Sequence, residues 1–133
     1  MSNIRNLAAF RAAVWDWSFL NGSFGNPRIR VSDIDGMVEI NGHFLMLEGK
    51  KGGYVSKGQE ILFDRWIRNG HALILMHGMD HAQESMIIVA RGGLWPATST
   101  PITGNANTVR QLCQAWSTWA SRSPYHLLLK EPQ

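Results

Sequence analysis

Apolar and polar residues follow two different periods along this chain, and these periods predict its helices and strands. Apolar side chains recur every three to four residues in the stretches that we predict to be helices: residues 3–20, 56–68 and 107–122. Shorter runs, apolar or alternating, are predicted to be strands: residues 29–40, 43–50, 72–76 and 85–91. Gly, Pro, Asn, Ser and Thr predict loops over residues 21–28 and 92–107. A helix between two strands also favours a right-handed crossover that makes those strands parallel.

The Asn-Gly pair at residues 41–42 predicts a two-residue hairpin turn, because both central positions of a type I′ turn need positive φ angles. Counting outward from this turn places Asp35 opposite Glu48 and Asp33 opposite Lys50. Side chains alternate between the faces of a strand, so all four project from the same face. The sequence therefore predicts three carboxylates and an amine at the open end of one hairpin.

This group of charges indicates a divalent-cation site. Carboxylates at directly opposed positions lie about 5 Å apart at Cβ and repel each other unless a cation lies between them. Mg²⁺ is usually held by one or two carboxylates together with waters and substrate phosphates. Lys50 lies roughly 6–7 Å beyond Glu48 along the strand, within reach of such a water or phosphate. The arrangement is typical of metal-assisted hydrolysis of phosphodiester bonds.

Each of these residues also has a structural interpretation. Asp35 and Glu48 would be a solvated pair on an exposed sheet face, and Lys50 would only balance their charge. Asp33 is interpreted as a second metal ligand, a partner for Lys50 or a turn residue, and a bulge in the hairpin would let it replace Asp35 as the main ligand. Glu39 shares the face but lies about 13 Å from Asp35 by strand rise, so we predict it to be a surface residue.

Asp35, followed by Glu48-Gly49-Lys50 on the next strand, resembles the Asp…(Asp/Glu)-x-Lys signature of the PD-(D/E)xK nuclease superfamily. That superfamily includes Holliday-junction resolvases, restriction enzymes, phage exonucleases and VRR-NUC domains. The likeness covers about residues 14–78, and the stretch from residue 30 to residue 59 is also similar to small phage-encoded members. Two departures are that no proline precedes either aspartate and that glycine occupies the middle of the triplet, where a bulky residue is usual. The resemblance implies an α/β (α+β) fold with a restriction-endonuclease-like αβββαβ core, a mixed sheet flanked by helices, to which this chain adds a C-terminal helix.

The resemblance also implies a Mg²⁺ (or Mn²⁺) cofactor and two further site residues. Gln59 would assist the active site from the helix after the hairpin, although with Ser56 it also forms a capping-box pattern at the start of that helix. Asp16, the acidic residue of the first predicted helix, would complete the metal site or simply be a polar residue near the helix end. DNA is favoured over RNA as substrate on the resemblance alone.

Length and composition favour one domain over residues 1–133. The apolar runs are too short to span a bilayer, and the N-terminus lacks a signal-peptide pattern. The single cysteine, Cys113, excludes an intramolecular disulfide and is typical of a reducing cytoplasm, that of the host cell if the chain is phage-encoded. The histidines at 71, 77 and 81 do not form a convincing zinc site, because Gly78 interrupts the i, i+4 spacing and no further ligand accompanies them.

Charge and aromatic content bear on the partners. The net charge of +3 favours a polyanion, and basic residues that flank the proposed site would bind phosphates or form solvated surfaces: Arg28, Arg30, Lys51, Lys57, Arg65 and Arg68. Six tryptophans, including Trp95, Trp116 and Trp119, leave room for a homodimer or host-protein surface. The alternative to a nuclease is therefore an inactive nuclease-fold module that binds a host protein or nucleic acid.

Overall fold

The computed structural model describes residues 16–52, 55–78 and 84–129. Internal contacts divide the chain into two units, residues 1–33 and 34–133. In the second unit the elements are β1 (Gly36–Ile40), β2 (His43–Lys51), α1 (Lys57–Arg68), β3 (Ala72–Gly78), β4 (Met86–Gly92), β5 (Ile102–Gly104), α2 (Ala106–Arg122) and α3 (Tyr125–Leu128). The prediction of one domain over residues 1–133 stays a prediction.

The strands form one mixed sheet in the order β1-β2-β3-β4-β5. β2 and β3 are parallel, and every other neighbouring pair is antiparallel. The parallel pair is joined by α1, so the predicted parallel pairing is confirmed, whereas the right-handedness of the crossover stays a prediction. The coarse class is likewise confirmed, since a mixed sheet with helices is an α+β arrangement.

The β1–β2 hairpin has the predicted register. Asn41 and Gly42 have φ angles of 60° and 87°, the positive values that a two-residue turn needs. Pairing runs from Ile40 opposite His43 back to Gly36 opposite Leu47. One residue further out along the same register lie Asp35 and Glu48.

Helices cover the two faces of the sheet because side chains alternate along the strands. On one face Leu45, Ile74 and Ile88 pack with Trp116 of α2 in a buried cluster. On the other face Met46, Leu73 and Leu75 form a second cluster with Phe63 of α1. Glu48 and Lys50 have the parity of Met46, so they lie on the α1 face.

Local sequence signals explain where α1 begins and ends. Ser56 accepts a hydrogen bond from the Gln59 N–H at 3.2 Å, and the Ser56 N–H donates to Gln59 Oε1 at 3.3 Å. This reciprocal capping box satisfies two N–H groups that the helix itself cannot pair. Asn69 is the C-cap residue of α1, and Gly70 after it has a φ of +90° and ends the helix. The predicted boundaries of this helix are confirmed.

The first predicted strand is shorter than expected. Residues 29–35 are not strand, so two strands rather than three precede α1 in the described part of the chain. The physical reason lies at Asp35, whose N–H donates to a Glu48 carboxylate oxygen, while the Gly49 N–H donates to the Asp35 carboxylate. Two backbone N–H groups there thus bond side-chain carboxylates instead of backbone carbonyls, and the ladder of backbone hydrogen bonds between β1 and β2 ends.

Other boundaries differ as well. The helix predicted over 3–20 falls mainly outside the described residues, and Ser18–Leu20 is a 3₁₀-helix. There the Asp16 side chain accepts the Ser18 N–H at 2.9 Å, a local bond that competes with helical pairing. The predicted loop 92–107 contains β5, and α3 was not predicted.

The tryptophans proposed for an association surface are largely internal. Trp95 and Trp116 are only 7 % and 2 % exposed, and Trp119 packs against the same cluster. That interpretation is wrong for Trp95 and Trp116, because both rings are enclosed by the core. Among the described residues no helix is both long and apolar enough to cross a membrane.

Candidate active site

Asp35 and Glu48 meet where the β1–β2 hairpin opens. The Asp35 N–H donates to Glu48 Oε1 at 3.3 Å, and the Gly49 N–H donates to Asp35 Oδ2 at 2.9 Å. Each carboxylate therefore accepts a backbone N–H from the other chain segment, and both are fixed in position. The hairpin register and these two bonds bring together the acidic pair that the sequence predicted.

The two carboxylates differ in their exposure to solvent. Glu48 is 3 % exposed, whereas Asp35 is exposed. Burial raises the pKa of the Glu48 carboxyl, and the neighbouring Asp35 charge raises it further; the Asp35 N–H and the charge of Lys50 act in the opposite direction. A buried acid beside a second acid is costly to ionise unless positive charge accompanies it.

Lys50 supplies positive charge on the same face. It lies two residues beyond Glu48 in β2 and is half-buried. The parallel register places Glu48 beside Leu75, and Lys50 beside His77. Lys50 thus lies at the end of the sheet, past the part of the α1 face that is packed by apolar side chains.

The acid pair suits a hard divalent cation. Two carboxylates, with waters and phosphate oxygens completing the shell, are an ordinary protein contribution to a Mg²⁺ site. A cation would also remove the cost of ionising Glu48 beside Asp35. The chain as described contains no group of three or more His, Cys, Asp or Glu side chains able to hold a metal by themselves. The donor set therefore fits a weakly held Mg²⁺ or Mn²⁺ and offers no zinc-type cage.

Three predicted residues belong to the first unit, residues 1–33: Asp16, Asp33 and Arg30. Asp16 accepts hydrogen bonds from Ser18, and these bonds lower the pKa of its carboxyl. Asp33 and Arg30 are exposed. Their assignments to the metal site and to nucleic-acid binding stay predictions.

Gln59 and the basic residues occupy different parts of α1. The amide oxygen of Gln59 accepts the Ser56 N–H, which establishes its capping role. Lys51 and Lys57 are exposed at the end of β2 and the start of α1. Arg65 lies about 12 Å further along the helix. Trp66 beside it bonds the Ala72 carbonyl at the beginning of β3, so Arg65 lies toward the opposite end of the sheet from Lys50.

Sequence reasoning did not place His77 beside Lys50. Their adjacency follows from the β2–β3 register, which no short motif specifies. It also missed His43, a buried side chain at the other end of β2.

No protein-family model, curated protein or solved structure matches this chain.

Proposed function

We propose that the protein is a metal-dependent nuclease that hydrolyses phosphodiester bonds, with DNA favoured over RNA. The observation that carries the proposal is the buried Glu48 carboxylate beside Asp35, with Lys50 one position further along the same face. Opposed acids on a sheet are unfavourable without a cation. The resemblance of Asp35 and Glu48-Gly49-Lys50 to the nuclease signature supplies the reaction class.

In this proposal Asp35 and Glu48 hold Mg²⁺ or Mn²⁺ through carboxylate oxygens. The bound ion lowers the pKa of water and offsets the negative charge of the phosphate. The N–H groups of Asp35 and Gly49 keep both carboxylates in place before the ion binds. Lys50 orients the attacking water or stabilises charge that develops on the phosphate oxygens.

Charge supports a polyanionic substrate. The chain carries a net charge of +3, and Lys51 and Lys57 are exposed near the end of β2. Contacts of this kind to phosphates position a strand without reading its sequence and weaken as salt rises. Binding of the substrate is therefore expected to fall as ionic strength increases.

Cleavage assays with Mg²⁺ and Mn²⁺ test the proposal on linear, nicked, branched and single-stranded DNA and on RNA. Lys50→Ala and Glu48→Gln are each expected to reduce cleavage by at least about 100-fold, because the first removes the positive charge that acts on the reacting phosphate and the second removes a carboxylate that holds the metal ion. Glu39→Gln is the matched control, since it removes an exposed carboxylate at the other end of the same hairpin and keeps an acceptor for the Gly42 N–H.

A second measurement does not depend on turnover. Saturating Mg²⁺ or Mn²⁺ is expected to raise the free energy of unfolding of the wild type by about 1–3 kcal/mol through preferential binding to the folded state. Glu48→Gln should lose this stabilisation, whereas Glu39→Gln should keep it.

Equal cleavage by the wild type and Lys50→Ala would indicate contamination. No cleavage together with no metal-induced stabilisation would favour the binding-module alternative.

A further inference from the structure

A row of side chains continues from Lys50 across the sheet. The register pairs Lys50 with His77, His77 with Ile87, and Ile87 with Thr103. Directly paired residues on neighbouring strands project to the same face, each about 5 Å from the next. These four side chains therefore form one line that begins at the proposed catalytic lysine.

Helix α1 leaves this line uncovered. Two residues before His77 in β3, and on the same face, Leu75 belongs to the core cluster with Phe63 and is 9 % exposed. Ile87 is 52 % exposed, although it is a large apolar side chain within a strand. A cleft opens at this end of the sheet, and His77, Ser85, Ile87 and Thr103 contribute to its walls.

His77 presents an oriented ring to the cleft. Its Nδ1 lies 3.3 Å from the Gly52 carbonyl oxygen. A carbonyl only accepts, so the Nδ1–H of His77 is the donor of this bond, which fixes the orientation of the ring. The hydroxyls of Ser85 and Thr103 each donate and accept. The cleft thus combines a flat aromatic ring and an aliphatic side chain with groups that form hydrogen bonds.

We propose that this cleft binds one unpaired nucleobase of a strand whose phosphate is held at Lys50, an inference that rests on the proposed nuclease function. Bases stack on aromatic side chains, including histidine, and an unpaired base also exposes its edges for hydrogen bonding. A base inside a duplex is stacked on both sides and must be extruded first. The site therefore selects single-stranded segments, loops or frayed ends over continuous duplex.

The test measures binding separately from cleavage. Fluorescence anisotropy with Ca²⁺ in place of Mg²⁺ follows a labelled single-stranded DNA oligonucleotide, its RNA counterpart and the same DNA as a duplex. His77→Ala is expected to weaken single-strand binding by about 5- to 150-fold, the range for loss of one stacked base. Duplex binding should change by less than about twofold, since it depends on phosphate contacts. His77→Phe keeps a stacking ring and should retain most of the single-strand affinity.

Controls separate the inference from the proposed function. His126→Ala removes an exposed histidine on α3 and should bind both forms as the wild type does. Single-strand affinity that is unchanged in His77→Ala, or an equal loss for single strand and duplex, would overturn the inference even if the protein cleaves. So would a wild type that binds no oligonucleotide. His77-dependent single-strand binding without any cleavage would instead contradict the nuclease function and leave the base site standing.

Discussion

The two ends of β2 each bury one titratable side chain, and their surroundings differ. Of the described polar and charged residues, the buried ones are His43 at the beginning of β2 and Glu48 near its end. His43 is enclosed by rings: its centroid lies 4.4 Å from that of Trp119 and 5.6 Å from that of Tyr125. Glu48 instead meets a second carboxylate, Asp35, which is exposed.

This difference separates a packing role from a candidate chemical role. The His43 Nε2–H donates to the Ser123 carbonyl, and Tyr125 donates its hydroxyl to the Asn69 carbonyl at 2.6 Å. These contacts hold the segment after α2 against the sheet and bury the His43 ring. At the Glu48 end Asp35 is exposed to solvent, and the nearby cation, Lys50, is half-buried. A buried polar group thus indicates function only when its partners leave access.

The largest expected effect concerns stability at the His43 end. His43→Ala should lower the free energy of unfolding by about 2–4 kcal/mol, because it leaves a cavity beside Trp119 and removes the bond to Ser123. Urea denaturation monitored by circular dichroism measures this loss.

His43→Phe is the matched variant at the same site. It keeps an aromatic ring but removes both ring nitrogens: Nε2, which bonds Ser123, and Nδ1, which is buried without a hydrogen-bond partner among the described residues. We expect it to cost less than half as much as His43→Ala. A loss below about 1 kcal/mol for His43→Ala would contradict the packing role, since buried aromatic truncations usually cost more.

The second-largest predicted effect is on the pH dependence of stability, which should have opposite signs for the ionisable groups near the two ends of β2. Burial raises the pKa of Glu48, so its favourable contribution is present below about pH 4.5 and is lost as pH rises through the folded-state pKa. Burial, and then the charge of His43, lower the pKa of His71, which stacks on Tyr125. Its contribution is complete above about pH 6.5 and is lost as pH falls through the folded-state pKa.

Metal-free unfolding curves from pH 4 to pH 8 measure both effects. Relative to the wild type, Glu48→Gln should gain stability as pH rises, by an amount of order 1 kcal/mol. His71→Phe keeps the ring and should flatten the loss of stability below pH 6.5. A Glu48→Gln profile parallel to that of the wild type would show that Glu48 ionises freely, and the acid pair would then need no cation.

Local signals in the sequence account for most of the central fold. The Asn-Gly turn determines the hairpin register, the Ser56–Gln59 pattern determines the start of α1, and apolar runs mark β3 and β4. The sequence did not reveal that residues 29–35 leave the sheet, because their apolar pattern resembles a strand. Their departure depends on side-chain bonds between Asp35 and the segment around Glu48, a tertiary feature.

The site shows the same division between local and long-range information. Counting from the hairpin turn places Asp35 near Glu48, because both lie on one hairpin. Burial of Glu48 and adjacency of Lys50 to His77 depend on β3, which lies more than twenty residues further along the chain. No local pattern specifies how far a parallel strand slides along its neighbour. Asp16 and Asp33 belong to the first unit, so their assignments to the metal site stay predictions.

The smallest predicted effect on stability concerns Gln59, which caps α1. Substitutions of this residue distinguish its capping role from a role in the active site. Gln59→Ala removes the bond to the Ser56 N–H and should cost about 0.5–1 kcal/mol. Gln59→Glu preserves the capping box, so its stability should match the wild type. If Gln59 also assists the proposed active site, Gln59→Glu should reduce cleavage without reducing stability, since it replaces a neutral amide with a negative charge. Cleavage that follows stability in both variants would restrict Gln59 to capping, and the candidate site would then consist of Asp35, Glu48 and Lys50 alone.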